Sequence, residues 1–79
     1  MKITLESTSK IVDDNNGVKA RLWEGRTESG IEVHAFITRI AIDIDAPPEQ
    51  VEQFERELIE QKAPRAALAD AYPARMFFP

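Results

Sequence analysis

The chain has 79 residues, 43% of them apolar and 30% charged, with a net charge of −4 and no cysteine. A chain this short is one domain near the lower limit of a self-sufficient core, burying about 60% of the surface it exposes when unfolded, and its apolar content excludes intrinsic disorder. The acidic balance excludes non-specific nucleic-acid binding, which needs phosphates neutralised by lysine and arginine, and the lack of cysteine excludes disulfide staples and thiolate metal sites.

Ile3 and Leu5 alternate with Lys2, Thr4 and Glu6, and Ile11-Val12 close a β-branched segment that ends at Asp13-Asp14-Asn15-Asn16-Gly17. This pattern predicts a strand followed by a tight turn, because Asn-Gly tolerates positive φ at both central positions of a hairpin. Val18, Ala20 and Leu22 then alternate with Lys19, Arg21 and Trp23, which predicts a second, antiparallel strand. Residues 25–30, GRTESG, read as the next turn. Residues 31–42 carry the strongest β pattern in the chain, with an apolar phase that switches from odd to even positions around Arg39, as a bulge or strong twist produces.

The character changes at Asp43-Ile44-Asp45-Ala46-Pro47-Pro48, where acidic residues precede prolines suited to a first helical turn. Val51, Phe54 and Leu58 follow at helical spacing, with glutamates at 49, 52, 55, 57 and 60 on the remaining surface. An amphipathic helix of about four turns starting near residue 47 or 48 is expected, with Phe54 as its core anchor. Residues 65–71 are expected to form a short helical turn, and the apolar tail Ala74-Arg75-Met76-Phe77-Phe78-Pro79 is expected to dock on the domain, since free termini are normally polar.

The predicted fold is a single α+β domain over residues 1–79: a three-stranded antiparallel meander packed against one amphipathic helix, in the order βββα. The helix should cover a face made of Ile3, Leu5, Ile11, Val18, Ala20, Leu22, Ile31, Val33, Ala35 and Ile37. Trp23, the only tryptophan, then stands on the other face with Phe36 and His34, flanked by Arg21 and Arg26. Aromatics beside arginines are what interfaces favour, so Trp23, Arg21, Arg26, Phe36 and His34 are the candidate binding residues. In the alternative arrangement, the tail or the segment around Leu68 and Tyr72 folds back over Trp23.

Catalytic patterns are scarce. His34 is the only histidine, and none of Ser7, Ser9 or Ser29 sits in a nucleophile turn that it could activate. Asp13, Asp14, Asp43 and Asp45 lack calcium-loop spacing. GRTESG is neither a P-loop nor a dinucleotide fingerprint, although Arg26, Thr27 and Ser29 could hold an anion there. The helix glutamates read as a solvated face or as an acidic docking surface that imitates a phosphate row. No enzyme activity, cofactor or metal is expected. No stretch approaches the roughly 18 apolar residues of a membrane span, and MKITLEST lacks the apolar run of a signal peptide, so a cytoplasmic protein is expected.

The segments ESTSKIV (6–12), RLWEGRTESGIEVHAFITRIA (21–41), QFERELIEQKAP (53–64) and YPARMFF (72–78) resemble small uncharacterised proteins encoded by bacteriophages and prophages of Gram-negative bacteria, over nearly the whole chain. The resemblance implies a bacterial host cell as the place of action and a binder that disables a host system. It carries over no functional residues. Two classes of function follow: a protein-binding antagonist of host defence, acting through the acidic helix or the Trp23 face, or a homo-oligomer that sequesters a nucleotide-like signal, with Trp23 or Phe36 stacking on the base and Arg21 or Arg26 meeting phosphate. A homodimer is expected in either case, paired through a sheet edge or through Trp23 and Phe36.

Overall fold

A computed structural model describes residues 1–13 and 17–65. It is an α+β fold in the order βββα: β1 (Ile3–Asp13), β2 (Lys19–Thr27), β3 (Glu32–Ile37) and α1 (Pro48–Leu58). The strands form an antiparallel meander, β1-β2-β3. Gly17, with φ +78°, takes the left-handed conformation that the first turn demands. Asp14, Asn15 and Asn16, the short helical turn expected after Arg65 and the docking of the tail fall outside the described residues. No described helix is long and apolar enough to cross a membrane.

β2 runs further than expected. Gly25, Arg26 and Thr27 belong to the strand, and the turn is confined to the residues after them. Gly25 is needed here for close approach and not for a turn: a Cβ at this position would lie 1.7 Å from the Thr4 carbonyl oxygen and 2.9 Å from Leu5 Cα. The turn itself closes through Gly30, at φ +89°, with Gly30 N–H donating to Thr27 O and Thr27 N–H to Ile31 O, both at 2.9 Å.

β3 ends at Ile37, short of the expected residue 42. The register explains why. Arg21 pairs with Ile37, so β2 has only Ala20 and Lys19 left beyond that point, and Ile40 or Ile42 could pair only with the turn before β2. The apolar phase switch at Arg39 therefore marks the exit from the sheet. The irregularity in pairing lies instead in β1, where Ser7 pairs with Trp23 and the next registered pair is Ile11 with Arg21. Three residues of β1 thus face Leu22 alone. The buried Thr8 fills the bulge: its hydroxyl donates to Leu22 O (2.7 Å), and its carbonyl accepts from Arg21 Nη1 (2.8 Å).

Pairing also settles which residues share a face, and here it overturns the expected arrangement. Leu22 lies opposite Phe36, Glu24 opposite His34, and Trp23 opposite Ala35. Even residues of β2 therefore face with even residues of β3. Ala20 and Leu22 stand with His34 and Phe36, whereas Val33, Ala35 and Ile37 stand with Trp23 and Arg21. A strand's side chains alternate strictly, so a reading that joins even residues of β2 to odd residues of β3 is wrong by one position throughout.

α1 is shorter than expected, about three turns. Pro47 occupies its N-cap without a side-chain cap bond, and Glu49 lies in its first turn. The preceding acidic residues form their own turn, with Asp43 Oδ1 accepting from the Asp45 N–H (3.0 Å). No residue of α1 is buried. Val51 and Phe54 are half-buried and Leu58 is exposed, so Phe54 is not the core anchor that its spacing suggested. Among the described residues the buried set is Thr8, Ala20, Leu22 and Glu24, all held by the sheet.

The Gly25 contact predicts an unusual ranking of glycine substitutions. Gly25→Ala drives a methyl group into β1 backbone and should cost about 3 kcal/mol, against about 1 kcal/mol for Gly30→Ala, which strains φ but meets no atom within 4 Å. Urea unfolding of the two variants checks this; equal midpoints contradict it.

Candidate functional site

On the Trp23 face, the indole has small neighbours: Ser7 across β1, Ala35 across β3, and Gly25 next along its own strand. The chain leaves the sheet at Thr38 and returns as α1 over this side. Between sheet and helix lies an open cleft of about 330 Å³. Trp23, Ile11, Ile37 and Ile40 wall one side and Phe54 and Leu58 the other, with Lys19, Arg21, Arg39 and Glu57 also lining it. Arg21 is held in place by its bond to Thr8 O. The Ser7 hydroxyl donates to Glu60 O at 2.9 Å. The cleft thus offers an aromatic and aliphatic interior with three cations and one carboxylate around it.

The opposite face is organised by a buried carboxylate. Glu24 is 4% exposed and lies between Glu6 on β1 and His34 on β3. Its charge is met by the chain that returns after α1: Lys62 Nζ lies 2.8 Å from Oε1, and the Arg65 N–H donates to Oε2 at 2.8 Å. Arg65 also reaches Glu32, which pairs with Arg26 at 3.2 Å. Burial pushes the Glu24 carboxyl up, but the Lys62 and Arg65 bonds and charges outweigh it and hold it below the usual carboxylate range. Burial, reinforced by the Arg65 charge, lowers the His34 imidazole, with Glu24 opposing. The Lys62 ammonium is raised, chiefly by its bond to Glu24. A second cleft of about 290 Å³ lies here, but its lining has Glu6, Glu24 and Glu32 against Arg26, Lys62 and Arg65. Three carboxylates meet three cations, so this surface is internally neutralised and serves to hold the fold.

The structure divides the five candidate residues into two groups: Trp23 and Arg21 line the cleft together. Arg26, His34 and Phe36 lie on the other face of the sheet. Trp23 faces the helix side, and cannot form one patch with Phe36 and His34. Phe36 stands edge-on to His34, with ring centroids 6.5 Å apart. His34 is likewise separated by the sheet from Ser7, so that pair does not meet. The residues 25–30 do not present a free anion cradle: Arg26 is paired with Glu32, and Thr27 Oγ1 accepts from Ile31 N–H and bonds Ser29 Oγ.

Sequence reasoning missed Thr8, Glu24, Lys62 and Arg65. One signal was available for Glu24. It occupies the next position of the Ala20, Leu22 series, and a charge in phase with core positions calls for a partner from elsewhere in the chain. Nothing in the sequence marks Lys62 and Arg65 as that partner.

Two pH windows follow. His34 has its folded pKa below the ordinary value of 6.5, so the unfolded chain binds the proton more readily and stability should fall as pH drops below about 6.5. Glu24 has its folded pKa below 4.5, so its contribution is full above that value and is lost as pH falls further, through the folded pKa. Denaturant midpoints between pH 8 and pH 3 should decline in both windows, with His34→Gln flattening the first. Glu24→Gln should cost about 2 kcal/mol at neutral pH, because it leaves Lys62 and Arg65 facing a neutral amide. A Glu24→Gln midpoint equal to wild type contradicts this assignment. No family model, curated protein or solved structure matches the chain, which leaves the cleft and the buried carboxylate as the ground for a functional reading.

Proposed function

We propose that this chain is a non-catalytic binding protein, whose Trp23 cleft receives an apolar segment of a macromolecular partner. One observation carries the reading. α1 turns its apolar stripe toward the sheet, yet none of its residues is buried, so the stripe and the Trp23 wall stand apart across an open groove. A helix facing a sheet normally closes on it to remove apolar area from water, at about 25 cal/mol per Å². A groove left open between them suits an inserted side-chain row, as in helix-and-groove recognition. The rim cations Lys19, Arg21 and Arg39 favour an acidic flank on that segment. The resemblance to phage-encoded accessory proteins supports a host protein as the partner, and an antagonist of host defence as the role.

The same rim supports a second reading, a nucleotide-like ligand with its base on the Trp23 indole and its phosphate at Lys19 or Arg39. Ultraviolet absorbance of the purified protein separates the two, since a sequestered nucleotide adds a band near 260 nm.

The cleft reading predicts which variants lose binding. In capture from host lysate at matched folded fraction, Trp23→Ala should lose at least about 30-fold in affinity, the loss typical of an aromatic hot spot. Arg39→Glu should weaken capture less strongly. Arg26→Ala and His34→Gln, on the far face, should retain it. Loss of capture in the far-face variants with full capture by Trp23→Ala assigns recognition to the other side of the sheet and overturns the reading.

A further inference from the structure

The two clefts differ in charge balance. On the far face, ion pairs join Glu24 and Glu32 to all three cations, Arg26, Lys62 and Arg65. The Trp23 cleft instead sets Lys19, Arg21 and Arg39 against Glu57, and none of these four forms an ion pair among the described residues. A chain with a net charge of −4 thus gathers unmatched positive charge along one apolar cleft. Charge of one sign focused between low-dielectric walls selects a ligand of the opposite sign.

Arg21 is set apart from the other two cations by its placement. It is half-buried, whereas Lys19 and Arg39 are exposed. The β1 bulge gives up the Thr8 carbonyl to Arg21 Nη1 at 2.8 Å, which fixes one arm of the guanidinium, and its remaining N–H donors have no acceptor among the described residues. A fork held in this way loses little freedom on binding and matches a carboxylate in shape and charge. The opposite wall is the C-terminal half of α1, where Phe54, Glu57 and Leu58 line the cleft. The negative end of the helix dipole and the Glu57 carboxylate oppose a multiply charged phosphate more than a singly charged carboxylate. Arg21 and Trp23 stand two residues apart on one face of β2, about 7 Å along the strand. We propose that Arg21 binds an Asp or Glu side chain of the partner segment, carried about 7 Å from the apolar side chain that sits on Trp23. That spacing is close to the one between residues two apart in an extended segment, or four apart in a helix. The assignment rests on the Trp23 cleft being the binding site, and it names an acidic peptide as what the cleft takes.

Selection of displayed random peptides on the purified full chain tests this. Peptides whose capture is lost on Trp23→Ala should carry Asp or Glu at a fixed offset from a large apolar residue. A synthetic peptide of the enriched sequence should bind the wild type at least about tenfold more tightly than the same peptide with its carboxylate changed to an amide. On Arg21→Gln, at matched folded fraction, that preference should vanish while the apolar one stays, and on Arg21→Glu it should reverse toward Lys or Arg. NMR of the wild type needs no variant: both peptides should shift the Trp23 indole N–H, and only the acidic one the Arg21 Nε–H. Apolar enrichment without an acidic residue, or an acidic preference that survives Arg21→Gln, overturns the assignment of Arg21 and leaves the cleft reading standing. Failure to select any peptide whose capture depends on Trp23 overturns both. Inorganic phosphate that displaces the peptide at a lower concentration than glutarate assigns the anion site to phosphate and overturns the proposal.

Discussion

The Glu24 carboxylate sets the terms for the rest of the structure. Taking an ionised carboxylate out of water costs several kcal/mol unless opposite charge and hydrogen bonds come with it. The two strands beside β2 supply none of that charge: Glu6 on one side is itself acidic, and His34 on the other is held toward its neutral form by burial and by Arg65. Compensation comes from residues 38 and 41 positions further along the chain, Lys62 and Arg65. Their return brings the backbone of Lys62 alongside the β1 bulge, where Ser9 N–H donates to Lys62 O at 2.8 Å and Lys62 N–H to Ser7 O at 3.2 Å. One buried charge thereby closes the chain on itself and lines the outer edge of β1 with a parallel bridge.

This accounts for the placement of α1. The helix is tethered at one end where the chain leaves β3 and at the other by the Lys62 and Arg65 contacts, so it can lie over the Trp23 face without being buried in it. Holding the fold and offering a surface are thus divided between the two sides of one sheet. Even residues of β2 carry the buried side chains and the charge network, and odd residues carry an indole with small neighbours and room in front of it. A cleft walled by a helix that contributes no buried residue can adjust its width cheaply, because little packed area is lost when the helix moves.

Much of the architecture was legible in the residues. Strand alternation, the glycine at the first turn and the prolines before α1 each carry local conformational information, and they placed the three strands and the helix start correctly. Register was not legible, because it depends on how two strands slide past one another. A shift of one residue exchanged the faces of β2 and moved Trp23 from the far side of the sheet to the helix side. Gly25 misled for a related reason: a glycine that permits a turn and a glycine that permits close backbone approach look alike in sequence. The end of β3 was invisible from residues 38–42, since what stops the strand is the length of its partner. The partnership of Glu24 with Lys62 and Arg65 is a contact across some forty residues, with no local signature.

Native-state hydrogen exchange by NMR tests the role assigned to Glu24 most directly. The amides of Ser9 and Lys62 join the returning segment to β1 without bonding to Glu24, so their protection reports whether the carboxylate closes that edge. They should be protected in the wild type, and in the Glu24→Gln variant they should exchange about tenfold faster or more, while the amides that pair β2 with β3 change less. Unchanged protection of Ser9 and Lys62 in that variant contradicts the account, since the edge would then be held without the buried charge.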